Sequence, residues 1–249
     1  MQYGITNLSL VPLRLEADDK SELVSQLLYG DHFKILDRRK DWTKVRLAFD
    51  DYEAYVDSKQ FIEISKGDYD YIEKTAPIYS TDLVEFIQDE NKQLLPILLG
   101  SSLNGLKILN HSFDGNSTSE VLPKSKLIKT ASLYLNAPYL WGGKSPYGID
   151  CSGFTQMVYK INGYKLLRDA SQQATQGEVL SFIEESEPGD LAFFDNSEGE
   201  IIHVGIILEN NYIIHAHGYV RIDRLDQSGI YNIEQNKHTH KLRVIKKII

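Results

Sequence analysis

One cysteine and seven histidines are the side chains in this 249-residue sequence best suited to nucleophile and base chemistry near neutral pH. The cysteine, Cys151, lies in YLWGGKSPYGIDCSGF, Tyr139 to Phe154. Taken alone, a single cysteine reads as a small buried hydrophobe. Its position changes that reading: Phe154, Val158 and Ile161 recur at steps of four and three, so a helix with an apolar stripe begins at or just before Cys151. Unpaired backbone N–H groups and the positive end of the helix dipole at such a start favour thiolate, and can lower a thiol pKa from ~8.5 by one or more units. Gly142, Gly143 and Gly148 just ahead of it allow the backbone to approach a substrate closely.

A thiol nucleophile needs a base, and the base needs a third group to orient it. His203 opens the strand-like HVGII and His215 lies in the return segment YIIHA; with a turn around Glu209 and Asn210, the two face one another to within about a residue. Either histidine alone would read as a satisfied core or surface group. Two competing chemistries fit less well. Gly143-Lys144-Ser145 matches the end of the phosphate loop G-x-x-x-x-G-K-[ST], but Pro138, which has no N–H, stands where its first glycine belongs, and the flanking strand and helix are missing. Zinc on Cys151 and two histidines would lack a close-spaced pair such as H-E-x-x-H, so no metal is expected. His32, His111, His217, His238 and His240 have no comparable context, and the last two read as solvated tail residues.

The elements that must position these groups follow from periodicity. From Leu8 to about Ile64, short apolar runs alternate with charged turns, and WTKVRLAF, with Trp42, Val45 and Leu47 among polar residues, indicates strands of a small all-β barrel. Residues 68–121 allow two readings, further strands of a second, degenerate barrel or a helix around Leu83 to Ile87. The Ser-, Asn- and Gly-rich stretch His111 to Lys126 reads as a linker. Beyond it, Leu127, Ile128, Ala131 and Leu135 have helical spacing, and strands dominate from Glu187 onward, with Pro188-Gly189 making a turn. The order of helices then strands makes this last part an α+β domain.

Bulk composition narrows the partners. A net charge of −8, a pI near 5.4 and the absence of any long Lys/Arg run exclude a groove that tracks nucleic acid. The same acidity argues against adhesion to an anionic membrane or wall surface, and favours a small soluble substrate. No apolar run approaches the roughly eighteen residues of a membrane span. The N-terminal residues lack the basic start, apolar core and cleavage site of a secretory signal, so the chain as given reads as cytoplasmic, or as periplasmic or secreted if a signal has been removed.

In order along the chain, YLWGGKSPYGIDCSGF, LLRDASQQ, EPGDLAFF, HVGIIL and YIIHAHG resemble the motifs of NlpC/p60 cysteine peptidases, papain-like enzymes that cleave bacterial wall peptides. The first sixty or so residues resemble bacterial SH3-like domains. The resemblance implies an α+β fold: a papain-like domain at 123–249, with helices packed on an antiparallel sheet. Ahead of it would stand an SH3-like barrel at 1–66 and a possible second, degenerate module and linker at 67–122. It implies Cys151 as nucleophile, His203 as general base, His215 as its orienting residue, and an oxyanion site from the Cys151 N–H and Tyr139; for Tyr139 the alternative is plain core packing against Trp141.

An SH3-like module ahead of this domain resembles the recycling branch of the family, which cuts the γ-D-glutamyl to L-diamino acid bond of free muropeptides beginning with L-alanine. The alternatives are a secreted hydrolase of intact wall and a non-catalytic wall-peptide binding protein. For the free amine, the resemblance implies Asp150 and Ser171, with Trp141, Ser152 and Asp169 along the substrate path. From the N-terminal module it implies Tyr52 (Tyr55 second) and Glu22. Arg168 and Asp169 could instead form a structural ion pair. No cofactor is implied, the partner is a murein peptide, and the oligomeric state is left open.

Overall fold

In Trp42–Leu47 the side chains of Thr43, Val45 and Leu47 are buried and those between them half-exposed, the period of a strand with one face on a core. Trp42 is out of phase with that face, and Thr43 takes the inner position instead. The computed structural model describes residues 2–249, and the chain divides into two compact units, residues 1–120 with 141–146, and residues 121–140 with 147–249.

The first unit opens with an antiparallel sheet of β1 (Gln2–Ile5), β2 (Leu10–Arg14), β3 (Leu23–Leu28), β4 (His32–Arg39), β5 (Trp42–Leu47), β6 (Glu53–Asp57) and β7 (Ile62–Ile64). Their order is β3-β2-β6-β5-β4-β1-β7. Val11, Leu27, Phe33, Val45, Val56 and Phe61 fill its core. Helix α1 (Lys66–Lys74) follows, started by a capping box between Ser65 and Asp68.

Next come β8 (Tyr79–Ser80), β9 (Val84–Gln88), β10 (Leu94–Leu98), β11 (Ser112–Phe113) and β12 (Ser117–Thr118), arranged as β10-β9-β11 and β12-β8. The helical alternative for Leu83 to Ile87 is thereby overturned. A helix of that length is marginal alone, whereas β9 pairs with β10 along its whole length and buries Ile87 with Ile97, Leu103 and Tyr29. The stretch read as a linker carries β11 and β12. The segment Trp141–Pro146 returns to this unit with β13 (Lys144–Ser145), where the Lys144 N–H donates to Gln26 Oε1 at 2.7 Å.

The second unit begins with α2 (Lys126–Ser132), shorter than its apolar spacing suggested. Beyond Ser132 the N–H groups of Leu133, Tyr134 and Leu135 reach back three residues rather than four, and Asn136 turns to φ +66°, which ends the helix. β14 (Gly148–Ile149) leads into α3 (Cys151–Ile161), followed by α4 (Ala170–Gln173) and β15 (Glu178–Leu180). The remaining strands are β16 (Leu191–Asp195), β17 (Ile201–Leu208), β18 (Tyr212–His217), β19 (Tyr219–Asp226), β20 (Gly229–Asn232) and β21 (Lys237–Lys247).

These strands form an antiparallel sheet in the order β15-β21-β16-β17-β18-β19-β20, and a further β20–β21 pairing closes β16 to β21 into a barrel. Ala192, Phe194, Ile207, Ile213, Leu225 and Ile230 pack together as its core. Helix α3 packs against β17, β18 and α2, and every one of its residues is buried. The single apolar stripe therefore understates α3: it is a central helix whose polar side chains are paired inside, as Thr155 Oγ1 is with Gln173 Oε1 at 2.7 Å. Among the described residues, no helix is long and apolar enough to cross a membrane.

Candidate active site

Asp150 sets where α3 begins. Its backbone is extended (φ −91°, ψ 176°) and its Oδ1 accepts the Gly153 N–H at 2.6 Å, which makes Cys151 the first helical residue. The same carboxylate is held by Arg168, whose NH1 donates to Oδ1 at 3.1 Å and NH2 to Oδ2 at 2.7 Å, while NH1 also donates to Ser152 Oγ at 3.0 Å. Asp150, Ser152 and Arg168 are all buried. Arg168 thus forms a bidentate pair with Asp150, which also caps the helix through Gly153.

The Cys151 side chain is buried, and its sulfur accepts from the N–H of Val204, the residue after His203, as well as from that of Ser152. Burial, then the charge of Asp150, pushes the thiol up to about 12, and these N–H donors and Arg168 offset only part of that. The helix start therefore does not produce a resting thiolate here. Desolvation inside the domain outweighs the dipole.

The β17–β18 hairpin turns at Glu209–Asn211, with Asn210 and Asn211 both in the left-handed region at φ +57° and +60°. Its register pairs Gly205 with His215. His203, on the same face two residues back, is thus the diagonal neighbour of His215, and their Nε2 and Nδ1 lie 2.8 Å apart. A Cβ at Gly205 would come within 2.9 Å of the His215 Cβ and 2.7 Å of Ile213, so the glycine is what lets the imidazoles occupy this place.

Two neighbours were invisible to sequence reasoning. Asp223 of β19 is buried, and its Oδ2 lies 3.1 Å from His215 Nε2. In RIDRLD charged and apolar residues alternate with no catalytic signature, and it is the strand register, with Arg221 opposite His215, that brings Asp223 to the cluster. His240 is the second: half-buried on β21, it stacks on His203 with ring centres 4.2 Å apart, so it is part of the cluster and not a solvated tail residue. His238, in contrast, is exposed, paired with Asp226.

Burial, then the histidines at 215, 240 and 217, holds His203 well below the ordinary imidazole range. Burial also lowers His215, against the opposing bond and charge of Asp223. At neutral pH the site thus rests as a neutral thiol beside neutral imidazoles. Alkylation of Cys151 by iodoacetamide is accordingly expected to be slow at about pH 6 and to climb steadily as pH rises toward 10. A fast rate, flat from about pH 5 to 8, would instead mark a preformed ion pair.

Tyr139 is half-buried beside this group: its N–H donates to Gly218 O at 2.9 Å and it bridges in parallel to Ile149, two residues before Cys151. Burial, then Cys151 and Asp150, raises its hydroxyl above the ordinary range and keeps it a donor. Trp141 is exposed and donates from Nε1 to Glu22 Oε1 at 2.6 Å within the first unit. Asp169 is half-buried at the start of α4, Ser171 is exposed, Tyr52 packs on the barrel core and Tyr55 lies in the first sheet under Arg39. The arrangement can move a proton from sulfur to an imidazole and hold a developing negative charge.

Residues 136–242 match the NlpC/P60 family, and residues 13–61 match the bacterial dipeptidyl-peptidase Sh3 domain. The chain is similar to dipeptidyl-peptidase 6 of Lysinibacillus sphaericus, 27% identical over 86% of this chain and 89% of that protein. It is likewise similar to γ-D-glutamyl-L-lysine dipeptidyl-peptidase of Bacillus cereus, 27% identical over 82% of this chain and 70% of the relative. Among solved structures, an NlpC/P60 family protein from Bacillus cereus superimposes with a TM-score of 0.81 over 99% of both chains at 20% identity, a likeness of fold. The chain thus carries an NlpC/P60 domain, papain-like in fold, behind a bacterial SH3-type domain, and is a cysteine peptidase.

Proposed function

We propose that this peptidase hydrolyses the γ-D-glutamyl to L-diamino acid bond of cell-wall peptides, acting in murein recycling on free peptides that begin with L-alanine. The observation that carries the chemistry is the chain of contacts from Asp223 through His215 to His203, whose neighbour in the chain, Val204, gives its N–H to the buried sulfur of Cys151. The bond specificity is supported by the name of the Bacillus cereus relative.

Cys151 attacks the scissile carbonyl carbon as its proton passes to His203; the carbon–sulfur bond forms and the carbonyl oxygen gains the electron pair. The Cys151 N–H and the Tyr139 hydroxyl stabilise that oxygen. His203 then protonates the departing amine of the diamino acid, leaving a thioester. In the second half, His203 takes a proton from water, hydroxide attacks the thioester, and the thiol leaves with that proton restored. Because the base is held low, the acid limb of kcat/KM is expected below about pH 6.5.

A substrate ammonium needs a carboxylate with acceptor capacity. For that part the candidates are Asp150 and Ser171, with Asp169 along the substrate path. Glu22 and Tyr52 remain the candidates from the SH3-type domain, and the sheets of residues 79–118 are read as a second, reduced β module.

The test compares L-Ala-γ-D-Glu-L-Lys, its N-acetylated copy and intact sacculi as substrates of the wild type. The free peptide is expected to be cleaved at the γ-D-Glu bond, with kcat/KM lower by on the order of 10–100-fold for the blocked copy and no release from sacculi. Equal cleavage of the blocked peptide would overturn the amine requirement. Release from sacculi would point to a hydrolase of intact wall.

A further inference from the structure

A carboxylate at hydrogen-bonding distance from one end of a histidine pair constrains every proton along it. Asp223, ionised, can only accept, so His215 Nε2, 3.1 Å from Oδ2, carries the proton. A neutral imidazole has one N–H, which leaves His215 Nδ1 as an acceptor. The nitrogen 2.8 Å away, His203 Nε2, must then be the donor. That leaves His203 Nδ1 bare.

We infer that Asp223, clamped by Arg221, is a positioning residue that fixes the tautomers of His215 and His203 so that His203 Nδ1 is the unprotonated nitrogen serving Cys151. The inference rests on reading Cys151, His203 and His215 as the catalytic set.

The clamp gives the carboxylate one orientation. Arg221 Nε lies 2.8 Å from Asp223 Oδ2, its NH2 donates to Oδ1 at 3.1 Å, and a second bond from that NH2, to Glu234 Oε2 at 3.1 Å, steadies the guanidinium. Asn232 Nδ2 approaches Oδ1 at 3.5 Å from β20. The bonds from His215 and Arg221 hold the Asp223 carboxyl below its usual range although burial, the largest single influence, opposes them. Facing the two imidazoles are His217 from β18, Arg221 and Asp223 from β19, and His240 from β21, whose own pKa burial lowers to about 3, while Cys151 of α3 takes the N–H of Val204 beside His203. With His240 neutral, Asp223 is the group that selects the tautomer.

Asp223→Asn separates this role from bulk stabilisation. An amide that keeps its oxygen toward His215 turns its NH2 onto the donors of Arg221 and Asn232. The opposite orientation meets only Arg221 Nε on the far side and donates to His215, which inverts the chain and puts a proton on His203 Nδ1. Adding Arg221→Leu removes most of the donors that force this choice.

The experiment is 15N-histidine NMR on the full chain at neutral pH, alongside steady-state kinetics on L-Ala-γ-D-Glu-L-Lys. In the wild type, His203 and His215 are expected as Nε2–H tautomers. Asp223→Asn is expected to invert both and to lower kcat on the order of 10²–10⁴-fold with KM little changed, and Asp223→Asn/Arg221→Leu to regain at least about tenfold with the original tautomers. A wild-type His203 protonated on Nδ1 overturns the inference even if no variant folds. So does an Asp223→Asn protein that keeps the wild-type tautomers, whatever its rate. Persistence of activity in Cys151→Ala would instead remove the catalytic reading and leave the tautomer assignment standing.

Discussion

Cys151→Ala is expected to lower kcat on the order of 10⁴–10⁶-fold with substrate binding retained, because the alternative routes to a covalent intermediate are gone. Cys151 is the only cysteine in the sequence, so no second thiol can take its place. The change removes one sulfur from a buried position and keeps the Cβ, so α3 should persist with a stability cost of about 1 kcal/mol. Asp150 still caps the helix through Gly153, independent of the sulfur. His203→Ala should give a loss of similar size. The double variant should be little worse than either, since thiol and imidazole act as one unit. Product release followed by mass spectrometry, with thermal unfolding as the control for folding, checks all three. A Cys151→Ala protein within tenfold of wild type would remove the thiol from the mechanism.

The largest stability effect is expected from Arg168→Ala. The guanidinium is fully buried, it binds both oxygens of the Asp150 carboxylate, and it donates to Ser152. Its removal strands a buried carboxylate at the start of the central helix, a defect that costs about 3–5 kcal/mol. Asp150→Ala should be comparably severe, because it removes the carboxylate that Arg168 binds and takes away the cap on Gly153. Removing both leaves neither charge stranded, so Asp150→Ala/Arg168→Ala should be more stable than the sum of the single losses predicts. Urea unfolding of the four proteins measures this coupling directly. Strict additivity would mean that the two charges do not depend on each other.

Features fixed by a few neighbouring residues were readable without coordinates. The start of α3 at Cys151 follows from the apolar spacing of Phe154, Val158 and Ile161 behind an Asp that can cap. The β17–β18 turn follows from Glu209-Asn210-Asn211, since asparagine tolerates the left-handed backbone the turn uses. Even the meeting of His203 and His215 needed only that turn and a period of two. Side-chain direction along a strand is set locally.

What the tertiary structure alone decided concerns groups far apart in the chain and the solvent around them. Arg168 finds Asp150 across eighteen residues because both are buried beside α3 and each cancels the other's desolvation. His240 reaches His203 only because β21 joins β16 while β20 closes onto it. Asp223 carries no catalytic signature in RIDRLD and becomes the end of a buried relay once β19 pairs with β18. The thiol follows the same logic: the amino-acid sequence by itself determined that Cys151 begins a helix, which draws toward thiolate, and folding buried it next to Asp150, which draws further the other way. Propensity and spacing act through backbone sterics over a few residues; charge state answers to burial and partners, and those exist only once the chain has closed.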